Sequence, residues 1–240
     1  MDNIKKRKNL LIISILTGSI AAVGVIGFII IWVKVFFSIE SNSSSAHYIM
    51  DFIPLWCIAI LCSIICKYTS NQYKKLNTGI QGEEKSQNVL SKLPSSYKIL
   101  SNIPISFDNR RAEIDNLIIS SKGIVIVESK NYGGSIKGNK DDKEWTQTKT
   151  SQKGNVYTNT IKNPVKQVGR QVYLLSQFLK ANGIRCWIDG YVFMAGGQCV
   201  TDSDRVFTDE RKLLQTILSS GKENALSEED MERIKKVLGQ

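Results

Sequence analysis

Residues 10–33 are apolar or small except for Ser14, Thr17 and Ser19, and a run of that length leaves the chain few architectures. At 1.5 Å per residue, about 20 such positions cross a hydrocarbon core of about 30 Å, so the segment reads as a transmembrane helix. A secretory signal peptide is the competing reading, because Lys5, Lys6, Arg7 and Lys8 form a basic start and Ser44-Ser45-Ala46 resembles a cleavage site. The apolar run is too long for that. Residues 49–66 form a second, shorter apolar stretch with Asp51 and Pro54 near its start, which in isolation also suits a re-entrant segment. Its flanks favour a second span. The connection holds Glu40 and His47 but no Lys or Arg, whereas Lys67, Lys74 and Lys75 follow the stretch, as the basic start precedes the first. The positive-inside rule then predicts a multi-pass protein of the cell membrane with both ends cytoplasmic. Gly18 and Ala22 form a small-xxx-small pair suited to packing the spans, and Trp32, Tyr48 and Trp56 suit the interface.

Cysteine and histidine usage narrows the chemistry of the remainder. Cys57, Cys62 and Cys66 fall in the second apolar stretch, Cys186 and Cys199 stand apart, and His47 is the single histidine. No CxxC spacing occurs, so a His-based or Cys₄ zinc site in the soluble part is excluded, and a metal there must be held by oxygen. Cys186 and Cys199 read as core residues. The formal net charge of +10 suits a phosphate-rich ligand or an anionic membrane surface and separates neither.

Residues 79–93 read as a helix ended by Pro94, with Val89, Leu90 and Leu93 on one face. Glu83 lies almost two turns before Leu90 and points to nearly the same side. Two readings of it stand open: a functional carboxylate, or a residue complementing the helix N-terminus. Residues 111–120 and 123–130 then form a β-hairpin around Ser121-Lys122. Loops of two or four residues give one register, with Ile119 facing Ile124, Leu117 facing Ile126 and Asp115 facing Glu128. Opposed carboxylates destabilise a sheet, so this pair needs a cation or a shared proton. Lys130 has the side-chain parity of Glu128 and would face Glu113. Because Ile124 and Ile126 alternate with Val125 and Val127, the strand is predicted to be buried on both faces, where unpaired charge is costly.

Residues 131–163 are polar and glycine-containing, with Ile136, Trp145 and Val156 as predicted buried points of short strands, and they read as a flap beside the site. Asn163 suits an N-cap and Pro164 a first helical position, opening a helix to about Ala181 with Val165, Val168, Val172, Leu175 and Leu179 as its packing stripe. Gln167 and Gln171 lie one turn apart on it. Residues 184–195 read as a strand or a pair of strands with Gly196-Gly197 as a turn, followed by helices at 210–219 and 228–238, the latter capped by Ser227 with Asp230.

The series Gly82-Glu83, Glu113-Ile114-Asp115, Glu128-Ser129-Lys130-Asn131-Tyr132-Gly133-Gly134, Trp145, and Asn163-Pro164 with Gln167 resembles the nuclease-related domain (NERD) family over roughly residues 80–200. One departure is Asn116, where many members have histidine. The resemblance implies an α/β restriction-endonuclease-like fold of the PD-(D/E)xK superfamily, a mixed sheet flanked by helices, here following two transmembrane helices. Together with the two apolar stretches it suggests an anchor at 1–75, a nuclease-like domain at 76–200 and a helical extension of that domain at 201–240. It implies Asp115 and Glu128 as ligands of Mg²⁺ or Mn²⁺ with Glu83 in support, and Lys130 as the group that positions or polarises the attacking water. Gln167 would reach the site from the following helix. The expected reaction is hydrolysis of phosphodiesters in nucleic acid, DNA before RNA, beside the lipid bilayer. The alternatives are a non-catalytic tethered module that binds nucleic acid or protein, and a surface protein whose basic charge meets anionic lipid.

Overall fold

The computed structural model describes residues 2–40 and 46–239. Ser44 and Ser45 of the cleavage-like triplet, and the side chains of Glu40, His47, Tyr48 and Asp51, lie outside the described part. The chain divides into two compact units, Met1–Ile80 and Gln81–Gln240.

In the first unit α1 (Asp2–Glu40) and the start of α2 (Ala46–Leu90) form an antiparallel pair. Contacts run in step along it: Arg7 Nη1 donates to Asn77 Oδ1 at 3.2 Å, the Ser14 and Ser70 hydroxyls lie 2.6 Å apart, and Phe28 meets Trp56 edge-on with ring centroids 5.0 Å apart. The small residues that permit the approach are Gly18, against Cys66, and Gly24, where an added Cβ would overlap Ala59. Gly24 thus takes the place predicted for Ala22, which is exposed. Both helices are long and apolar enough to cross a membrane, and side chains such as Val23 (65% exposed) and Ile60 (63%) face outward. In water an apolar surface of that extent is unfavourable; in lipid it is matched. α2 does not end after the apolar stretch. It continues unbroken to Leu90, so the separate helix predicted to start at 79 is the end of a longer one.

The second unit is a mixed sheet of seven strands among the described residues: β1 (Lys98–Phe107), β2 (Arg110–Ser120), β3 (Gly123–Lys137), β4 (Glu144–Thr150), β5 (Val156–Lys162), β6 (Ile188–Val200) and β7 (Val206–Phe207). Neighbours β1 to β5 pair antiparallel in order, while β6 pairs parallel with β3 and β7 parallel with β6. The β2–β3 register matches the prediction, with Ile119 opposite Ile124 and Leu117 opposite Ile126. The two isoleucines of β3 enter one core with Val168, Leu175 and Leu179 of α3 (Pro164–Ala181) and Ile234 of α5 (Glu228–Val237). Val125 and Val127 enter a second core with Val89 and Leu90 of α2 and Leu213 of α4 (Glu210–Ser219). Strand β3 is therefore buried on both faces, as its unbroken apolar run requires.

Three expectations change. Residues 131–163 are the end of β3 and the fully paired β4–β5 hairpin rather than a flap. Ile136 and Trp145 are buried there, but Val156 is 65% exposed because it begins the edge strand β5 opposite Thr150. Gly196 and Gly197 lie inside β6, where β3 shifts register after Lys130 and again before Ser135; a Cβ on either glycine would run into Asn131 or Tyr132. The glycines make room for a bulge rather than a turn.

Helix α3 seats on β6 at Gly190, where an added Cβ would lie 2.7 Å from Val172 and 2.9 Å from Val168. Gly169 on the same helix has open space around its Cα. Gly190→Val is expected to lower stability by about 1–3 kcal/mol through overpacking, whereas Gly169→Ala is expected to raise it by about 0.5–1 kcal/mol through helix propensity. Thermal unfolding of the full chain in detergent micelles distinguishes the two.

Candidate active site

The site lies where one edge of β3 changes partners. Strand β2 accompanies β3 only as far as Asn116 opposite Val127, and β4 joins the same edge only at Ser135, leaving residues 128–134 without a strand partner on that side. Two side chains satisfy the exposed backbone: Asp115 Oδ2 accepts from Ser129 N–H at 2.9 Å, and Gln147 Nε2 donates to the Gly133 carbonyl at 2.8 Å. The alternation of β2 slips here. Ile114 and Leu117, three apart, enter the same core, and Asn102, across from Asp115 on β1, has φ of 55°. The predicted Asp115–Glu128 backbone pair is accordingly absent from the ladder, as is the pairing of Lys130 with Glu113. It is the carboxylate of Asp115 that bridges to β3.

Glu128 is 1% exposed. Its Oε1 accepts from Lys130 Nζ and from Gln167 Nε2, each at 2.5 Å, and its Oε2 accepts from Gln171 Nε2 at 2.6 Å. Gln171 also donates to the Glu113 carbonyl at 2.8 Å, while its own Oε1 is buried without a partner. The predicted approach of Gln167 is present. Gln171 proves to be its equal, and the one-turn spacing of the two glutamines was the signal for it. Both are aimed by the start of α3: Asn163 Oδ1 accepts from Val165 and Lys166 N–H, and its Nδ2 donates to the carbonyls of Asn139, Lys140 and Asp142. Trp145 Nε1 donates to the same Asn139 carbonyl at 2.8 Å. Trp145 and Asn163-Pro164 thus fix the helix that carries the glutamines.

Burial and the neighbouring Glu128 push the Asp115 carboxyl up to about 7, against the pull of the Ser129 N–H and the Lys130 ammonium. Burial lowers the affinity of Lys130 for its proton, but the charge and hydrogen bond of Glu128 outweigh it and hold the ammonium above its ordinary range. Glu83 is raised by burial first, then by Glu113 and Glu84. It sits deep inside α2, so the helix-N-terminus reading falls away. Gly82 beside it lets α2 approach β3, since a Cβ there would lie 2.6 Å from that of Asn131. Glu83 acts on Asp115 through its charge, and no hydrogen bond joins the two among the described residues. Asn116 points to the opposite side, where its buried amide donates to Ser86 Oγ at 3.2 Å and Ser129 Oγ at 3.2 Å. That network ties α2 to the back of the Glu-Ser-Lys segment and was not foreseen. Cys186 and Cys199 are free thiols packed against the core, and burial raises both.

A mixed sheet flanked by helices, with an acid at a strand's parting and a Glu-x-Lys couple on its neighbour, is the framework of the PD-(D/E)xK nucleases. The family model described as nuclease-related domain matches residues 78–195, and this segment is a nuclease-related domain. An uncharacterized protein of Bacillus anthracis is 38% identical over 71 residues, which cover 29% of this chain and 34% of that protein. The match therefore spans about a third of that relative. No solved structure matches the chain.

The raised carboxyl carries a stability consequence. Asp115 titrates near 3.9 when unfolded and about 7 when folded. Below pH 4 both states are protonated and stability is complete; between pH 4 and 7 the unfolded chain ionises more readily and stability falls, on the order of a few kcal/mol in all. Asp115→Asn, which keeps an oxygen for Ser129 N–H, is expected to flatten this fall. Thermal unfolding of the full chain with chelator at pH 5 and pH 8 measures it; equal pH dependence in both proteins contradicts the assignment.

Proposed function

We propose that this protein is a membrane-anchored nuclease that hydrolyses phosphodiester bonds, DNA before RNA, with Mg²⁺ or Mn²⁺ held by Asp115 and Glu128 and supported by Glu83. The observation that carries this reading is a buried carboxylate pair with a clasped lysine at the gap in the β3 edge. The donor set fits such an ion. It offers hard oxygens, Asp115 Oδ1 is free of hydrogen bonds among the described residues, and the mutual repulsion that lifts Asp115 is what a cation relieves. When bound, the ion would supply Lewis-acid activation of water and charge neutralisation at the phosphate.

The chain's own residues have distinct tasks. Lys130, held above its ordinary range, keeps its proton at neutral pH and serves as a fixed positive charge for the attacking water and the phosphate, not as a general base. Gln167 and Gln171 hold Glu128 in one orientation from a capped, tightly seated helix. Ser129 N–H orients Asp115.

One observation favours the second reading, a tethered binding module without turnover. Both oxygens of Glu128 are already taken by protein donors, and no group of three or more His, Cys, Asp or Glu side chains among the described residues is arranged around a metal position. On this reading the lysine and glutamines replace an ion instead of framing one. The full chain in detergent, incubated with Mg²⁺ or Mn²⁺ and labelled oligonucleotides, separates the two. The nuclease reading expects cleavage that Asp115→Ala and Glu128→Gln reduce at least a hundredfold, Lys130→Ala comparably, and that Asn116→Ser largely spares. Binding without any cleavage selects the module.

Lys5, Lys6, Arg7 and Lys8 and, from the other helix, Lys67, Lys74 and Lys75 gather at one end of the antiparallel pair, where Arg7 meets Asn77. Under the positive-inside rule this supports a cytoplasmic side for that end and so for both chain termini. A C-terminal fluorescent-protein fusion is expected to glow and a C-terminal alkaline phosphatase fusion to stay inactive; the reverse pattern inverts the topology.

A further inference from the structure

The β4–β5 hairpin has a composition and a placement that the carboxylate site does not explain. From Thr146 to Lys162 it contains Lys149, Lys153 and Lys162 and not one Asp or Glu. Its ladder is regular from Glu144 opposite Lys162 to Thr150 opposite Val156, so the face that buries Trp145 and packs Ile161 against the α3 core continues through Gln147 and Asn159 to Lys149 and Tyr157. Glu128 reaches its two glutamines on α3 from that same face. Towards its tip the hairpin abuts the gap in the β3 edge: Gln147 holds the Gly133 carbonyl, and Lys149 Cγ would lie 3.1 Å from a Cβ placed on Gly134. At its tip the turn is ordered, with Ser151 N–H donating to the Asn155 carbonyl at 2.8 Å, Gly154 N–H to the Ser151 carbonyl at 2.9 Å, and Gly154 at φ +83°. Tyr157 is 48% exposed and directly opposite Lys149.

We infer that this hairpin is a nucleic-acid arm: Lys149 and Lys153 take backbone phosphates of a strand led towards the gap beside Glu128, and the Tyr157 ring stacks on an unpaired base of that strand. The inference rests on the nuclease-type reading of the same domain and adds which surface holds the nucleic acid. A ribbon that is basic and free of acids from Thr146 to Lys162 attracts a polyanion, an exposed ring beside a cation is the pairing used by strand-binding surfaces, and an ordered turn loses little entropy when it binds. β5 is an edge strand, and its Thr, Asn and Lys side chains keep that edge soluble without burial.

The test uses the full chain in detergent micelles carrying Asp115→Asn, so that bound strands stay intact, with labelled single-stranded and duplex 20-mers and, separately, vesicles containing anionic phosphatidylserine. Lys149→Gln with Lys153→Gln is expected to weaken nucleic-acid binding about tenfold at 0.1 M salt and to reduce the slope of log K against log salt by about 1.4–1.8, since each lost phosphate contact removes about 0.7–0.9. Tyr157→Ala is expected to weaken single-strand binding at least fivefold and duplex binding little. Unchanged thermal unfolding shows that the substitutions at half-buried Lys149 and exposed Lys153 and Tyr157 leave the fold alone. Unaltered affinity and slope in the double variant, or no nucleic-acid binding by the parent, overturns the arm. So does a double variant that loses vesicle binding alone, which assigns the lysines to lipid. If cleavage proves absent in the protein with Asp115 intact while these variants still weaken binding, the arm stands and the hydrolytic reading falls.

Discussion

A carboxylate with almost no exposure is tolerable in a protein only when donors surround it, and Glu128 has three: one ammonium and two amides. Much of the second unit's detail serves that requirement. Helix α3 must bring Gln167 and Gln171 to one point, so it is capped by Asn163, braced through the Asn139 carbonyl that Trp145 shares, and seated on a glycine of β6. Strand β3 must bulge beyond Lys130, so β6 provides Gly196 and Gly197 opposite it. Removing one donor would leave the carboxylate partly unpaired in a dry place, which is far more costly than losing an exposed ion pair.

The gap in the β3 edge follows from the same arrangement. Because β2 leaves after Asn116 and β4 arrives only at Ser135, backbone groups that a sheet normally pairs are open to side chains, and Asp115 enters there. Its carboxyl is then close enough to Glu128 to be raised and close enough to Lys130 to be partly relieved. A second polar network on the reverse side, Asn116 with Ser86 and Ser129, joins this stretch to α2, the helix that also contains the second apolar run. The Glu-Ser-Lys segment is thus held from both sides of the sheet.

Much of this was legible in the sequence, for identifiable reasons. The two-residue turn at Ser121-Lys122 and an apolar run in both parities fix the β2–β3 register and its double burial; Asn163-Pro164 marks the start of α3, and Ser227 with Asp230 gives the observed capping box. Strand β1 was not foreseen because Asn102 and Pro104 interrupt its pattern. Proline is tolerated there since β1 is an edge strand, and Asn102 adopts the left-handed conformation that asparagine accepts more readily than most. The continuity of α2 was hidden by the polar stretch after Cys66, which has no apolar stripe to reveal a helix. Asn116 departs from the family pattern, and its place between Asp115 and Leu117 on the strand turns it away from the carboxylates. The partnering of Glu128 by Gln171 could be guessed from spacing alone, but the closed state of that carboxylate could not, since it depends on side-chain conformations across three elements.

The proposed hydrolysis requires Asp115 and Glu128 to share a divalent cation. Anomalous diffraction from crystals of the full chain soaked in millimolar Mn²⁺ tests it most directly. A peak within coordination distance of both carboxylates, with Lys130 or a glutamine displaced from Glu128, is the predicted result. No peak, with Glu128 still clasped by Lys130, Gln167 and Gln171, would contradict it.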